Sequence, residues 1–105
     1  IKTKIMESIK QRLIDDTIKE LAEREEEIKK SDEELGLLGA RLKVENKFAE
    51  MRDIPPEITE DVKYSVQALE NMIVMEENRN AELKRDFEIL RYRKQVINKF
   101  EDEEL

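Results

Sequence analysis

Three carboxylate clusters are the residues most able to do chemistry in this sequence: Glu25-Glu26-Glu27, Asp32-Glu33-Glu34 and Glu101-Asp102-Glu103-Glu104. Paired carboxylates act as general acid and base only where a shaped, dry pocket splits their pKa values. No other catalytic group accompanies them. The 105 residues include no cysteine and no histidine, which removes Ser-His and Cys-His nucleophiles, zinc sites built on those side chains, disulfides and the histidine pH switch. A di-iron site of the bundle type would need Glu-x-x-His, and the calcium-loop pattern D-x-[DN]-x-[DN]-G does not occur. Gly36 and Gly39 make no phosphate loop, since no Gly-Lys-Ser/Thr follows and no strand precedes. The clusters therefore read as solvated helix faces. No enzyme and no cofactor are expected.

The composition agrees. Charged residues make up 45%, apolar residues 38% and aromatics 5%, against about a quarter charged and nearly half apolar in an ordinary domain. Such a chain has too little grease for a compact globule around a pocket. The 20 Lys+Arg against 27 Asp+Glu leave a net charge of −7, which argues against nucleic acid, whose binders concentrate basic side chains on one face. The longest apolar run, Met72-Ile73-Val74-Met75, is far short of the ~20 residues that cross a bilayer, and no signal peptide is recognisable. A start at Ile1 reads as a segment of a longer protein. The lack of cysteine fits an intracellular setting, cytoplasmic or cytoskeletal.

The elements follow from one strong breaker, Asp53-Ile54-Pro55-Pro56. Each proline disfavours a helical conformation in the residue before it, and a new helix can begin with Pro56 as its first residue. Strand-type alternation is absent, and the flanking stretches are rich in good helix formers. The expected organisation is one supersecondary unit: helix one over residues 1–52, a turn or break at 53–56, and helix two with an acidic tail over 57–105. Gly36 and Gly39 are read as glycines tolerated inside helix one. A break at Leu35–Ala40, giving three helices, is the alternative.

Both helices carry a seven-residue apolar repeat, which keeps one stripe facing a partner when helices supercoil. In helix one the strong row is Ile14, Leu21, Ile28, Leu35, Leu42 and Ala49. Its companion row is weak and is taken four residues on: Ile18, Glu25, Asp32, Gly39 and Asn46. Helix two has two good rows, Val62, Leu69, Glu76, Leu83, Leu90 and Ile97 with Val66, Ile73, Asn80, Phe87 and Lys94. The fold class is all-α coiled coil. An antiparallel hairpin folded at the prolines sets Ile28 near Asn80 and Leu21 near Phe87, and brings Asp32 and Glu76 uncomfortably together. The alternative is a parallel dimer of interrupted rods, for which the Val66, Ile73, Leu83, Leu90 and Asn80 pattern is well suited.

Apolar residues off the main stripes are numerous, including Leu37, Val44, Phe48 and Met51 near the turn, with Tyr64 and Ala68 beside them. Stripes this wide usually meet more than one neighbour. The expected role is a non-catalytic scaffold or oligomerisation segment whose arms, about 75 Å each at 1.5 Å per residue, space attached domains. The partner is a second copy, most simply in a dimer, or another coiled-coil chain. The interface residues are Ile14, Ile18, Leu21, Ile28, Leu35, Leu42, Val62, Val66, Leu69, Ile73, Asn80, Leu83, Phe87, Leu90 and Ile97. Two further readings remain. The basic amphipathic stretch Ile1–Ile14 could lie on anionic lipid, or an exposed stripe could recruit one specific protein.

Overall fold

The computed structural model describes residues 8–105, so most of the basic stretch, residues 1–7, lies outside the described residues. Two long α-helices form a hairpin: α1 spans Ile9–Ala49 and α2 spans Pro56–Asn98, and a short 3-10 turn, η1, follows at Asp102–Glu104. The described residues contain no strand. The chain reverses at the prolines, so the parallel rod is set aside.

Each boundary has a local cause. At the start of α1 the Ser8 hydroxyl accepts the backbone N–H of Gln11 at 3.1 Å, the geometry of a serine N-cap. At its end, Glu50 and Met51 donate to carbonyls three residues back, Lys47 and Phe48, so the last turn tightens before the chain leaves. Pro56 is the first residue of α2, where a missing N–H costs nothing. The Pro55 carbonyl accepts the N–H groups of Ile58 and Thr59. Neither Gly36 nor Gly39 breaks α1, and a Cβ built on either would meet no neighbour within 4 Å. These glycines are tolerated rather than required.

The packing resolves into two units, one made of Ile28–Glu82 and one of Ile1–Glu27 with Leu83–Leu105. The first, the turn unit, holds the chain reversal. Its buried residues are Leu38, Val62, Ser31 and Asn80. The second, the terminal unit, buries Leu83, Leu90 and Thr17. Its outer end is closed by η1: the Ser8 hydroxyl lies 2.7 and 2.8 Å from the two carboxylate oxygens of Asp102. Asp102 also accepts the Lys10 N–H at 2.9 Å, and the Lys10 ammonium donates to the Asn98 carbonyl at 3.1 Å. A carboxylate from the far end of the chain thus serves the free N–H groups of the first turn of α1, where the helix dipole favours negative charge.

Candidate interaction surface

The helical period decides which side chains meet. In α2, both expected rows face α1. Val62, Leu83, Leu90 and Asn80 are buried, and Val66, Leu69, Ile73, Phe87 and Ile97 are half-buried. In α1 the strong row also faces inward, with Ile14, Leu21, Ile28, Leu35 and Leu42 all half-buried.

The companion row of α1 is corrected. It lies three residues after the strong row, not four, and runs Thr17, Arg24, Ser31, Leu38 and Glu45, all buried or half-buried. Ile18 is 46% exposed, and Glu25, Asp32 and Asn46 are exposed beside it. The physical reason lies opposite. Asn80 and Glu76 occupy positions facing α1 and need a buried polar partner, and the row three residues on sets a small neutral hydroxyl at their level where the row four residues on holds the charged Asp32.

Ser31 is that partner. It is 1% exposed and donates its hydroxyl proton to Glu76 Oε2 at 2.6 Å. It accepts from Asn80 Nδ2 at 3.0 Å, and the same amide donates to Asp32 Oδ1 at 2.8 Å. Arg79 closes the chain with a 3.1 Å contact to Glu76 Oε2. The feared Asp32–Glu76 clash is thereby avoided, because a hydroxyl and an amide stand between the carboxylates. Asn80 meets Ser31 and Asp32, about one turn further along α1 than the Ile28 position expected for it. The Ser31 hydrogen bond, with Arg79 adding to it, holds the Glu76 carboxyl below its usual value of 4.5, against a desolvation that pushes upward. Asp102 in the terminal unit is lowered too, first by the Lys10 N–H and then by the Ser8 hydroxyl.

Charged flanks do less. Arg24 pairs with Glu27 in its own helix at 3.1 Å, and Arg91 pairs with Glu88 at 2.6 Å. Such exposed i,i+3 pairs contribute a few tenths of a kcal/mol. The Arg24 Nε is buried and finds no acceptor among the described residues.

The surface beyond this packing is markedly uneven in the turn unit. Two shallow grooves run along one side of it. Leu38, Met72 and Met75 line the first, with Glu34, Arg79 and Glu82 at its rim. Val44, Ala68, Leu69 and Met72 line the second, with Arg41, Glu45 and Ser65. Met72 belongs to both. Leu37 falls on the seven-residue row of Val44, and Ile58 on that of Met72, so both extend the same apolar side. Val44 is 63% exposed and Met75 is 71% exposed. The other side of this unit carries Lys29, Lys43, Lys63, Glu70 and Glu77, with Val74 its main apolar residue. Leu37 and Val44 of the expected stripe therefore form one wall of a longer surface, whose other wall is Ile58, Ala68, Met72 and Met75, while Phe48 is half-buried and Met51 lies past the end of α1. Tyr64, 69% exposed, points away from it.

No group of three or more Cys, His, Asp or Glu among the described residues is placed to hold a metal ion. No helix among them is long and apolar enough to cross a membrane. Compared with known protein families, with curated proteins and with solved structures, the chain matches none.

Proposed function

We propose that this chain is a non-catalytic coiled-coil assembly module, a helical hairpin that works by packing an apolar side onto another helical chain. One observation supports it above the rest. Among the described residues only Leu38, Val62, Leu83 and Leu90 are buried apolar side chains, while sixteen large hydrophobic residues stay exposed. Burying a Leu or Val side chain is worth about 1.5–3 kcal/mol, so four of them give a core too small for a chain of this length to stand easily alone. An attached partner supplies the missing burial, and the hairpin sets the spacing of whatever is joined to it.

Chemical denaturation of the isolated chain, followed by circular dichroism over a wide range of protein concentration, tests the reading. Stability that rises with concentration, or a marginal monomer, supports it. A monomer with concentration-independent stability above about 5 kcal/mol, the ordinary range of a self-sufficient domain, would overturn it.

A further inference from the structure

We infer that the apolar side of the turn unit docks a second copy of the same hairpin, α1 of each copy lying over α2 of the other. This rests on the assembly reading and adds the partner, the face and the symmetry.

The first argument is area. The chain exposes 8390 Å², whereas a compact monomer of its 12.5 kDa mass would expose roughly 6,200 Å². The excess, about 2,200 Å² summed over the whole chain, is more than the ~800 Å² that each partner contributes to an interface of standard size.

The second argument is charge. The chain carries −7, so two copies meeting through arbitrary surfaces would repel. This side is balanced instead. The rim of the first groove sets Glu34 of α1 across from Arg79 and Glu82 of α2, and Lys30 lies one heptad before Leu37 on the Val44 row. The apolar residues match across the groove in the same way: Leu37 is level with Met72, and Val44 with Ala68. A two-fold axis parallel to the helices places α1 of one copy over α2 of the other at the same level. Glu34 then meets the other copy's Arg79, Lys30 its Glu82, and each apolar residue its apolar counterpart. A surface whose two walls complement each other level by level is complementary to itself under that operation. Arg79 keeps its Glu76 contact while 53% exposed, which leaves donors free for a second carboxylate.

The test uses the full chain. Light scattering should give twice the 12.5 kDa chain mass. The double variant Val44→Glu with Met75→Glu, at two exposed positions outside the helix–helix packing, should keep its helical dichroism and weaken dimerisation at least tenfold. Since the chain lacks cysteine, a Leu37→Cys chain mixed with a Met72→Cys chain should form the mixed disulfide in excess over either symmetric one. Predominant 37-to-37 disulfides would overturn the two-fold assigned, and a dimer indifferent to the double variant would overturn the face. A chain monomeric at every concentration would overturn the second copy as the partner. Marginal stability in that monomer would leave the assembly reading standing with an unlike helical chain as its partner, so the two failures are distinguishable.

Discussion

The turn unit and the terminal unit solve the same problem differently. Both pair α1 with α2 through seven-spaced rows, and each buries two aliphatic side chains, Leu38 and Val62 in one, Leu83 and Leu90 in the other. In the turn unit the hydrogen bonds between helices lie inside the packing, where Ser31, Asn80 and Glu76 satisfy one another. In the terminal unit they lie at the exposed end, between Ser8, Lys10 and Asp102. The one polar residue buried in the terminal unit, Thr17, donates to the Leu13 carbonyl of its own helix and contributes nothing to pairing. Aliphatic rows slide by a heptad at modest cost, whereas a buried polar group left without its partner costs about 1–3 kcal/mol. A buried polar cluster therefore fixes the register within the turn unit, whereas the interior of the terminal unit relies on its aliphatic rows.

Deleting one aliphatic side chain from each unit gives the largest expected effect. Leu38→Ala and Leu90→Ala should each lose about 2–4 kcal/mol, read from denaturant midpoints. A large disparity between them would show that one unit dominates the packing. Asn80→Ala should cost less, about 1–2 kcal/mol, because the Ser31 hydroxyl oxygen and the Asp32 carboxylate each lose the Asn80 amide as a donor. The diagnostic outcome is mispairing, seen as a spread of distances between spin labels on α1 and α2, which no terminal-unit substitution should produce. Arg24→Leu in the terminal unit should move the other way. Removing a buried Nε without an acceptor should raise stability by about 1 kcal/mol, and a lower melting temperature would contradict that account.

Acid sharpens the comparison last. The folded Glu76 carboxyl lies below its unfolded value of 4.5, so its contribution is complete above that pH and is lost as the pH falls through the lower folded value. Asp102 follows the same sign from its ordinary 3.8. Glu76→Gln should flatten the acid limb of a stability–pH curve, and hydrogen exchange should show the change in the turn unit. Asp102→Asn should speed exchange only at the first turns of α1.

Much of this architecture could be read from residue order. The Pro55-Pro56 reversal, the two helices and three of the four stripes follow from breakers and from aliphatic residues at strict seven-residue spacing. The fourth stripe could not be read from hydropathy. Thr17, Arg24, Ser31, Leu38 and Glu45 hold one aliphatic residue in five, no better than the row containing Ile18. The available signal was complementarity: Asn80 and Glu76 on α2 demanded a small hydroxyl opposite, and Ser31 is the one residue of that kind near their level. The apolar side of the turn unit was partly visible through Leu37, Val44 and Ala68. The rest of its second wall became apparent only when the pairing register placed Met72 and Met75 alongside.

The Ser8–Asp102 contact has a topological corollary. It brings Ser8 and Asp102, close to the two ends of the described chain, within hydrogen-bonding distance of each other, so the ends of the described hairpin lie side by side. A hairpin with neighbouring ends can be grafted into a surface loop of a host domain without prying its flanks apart.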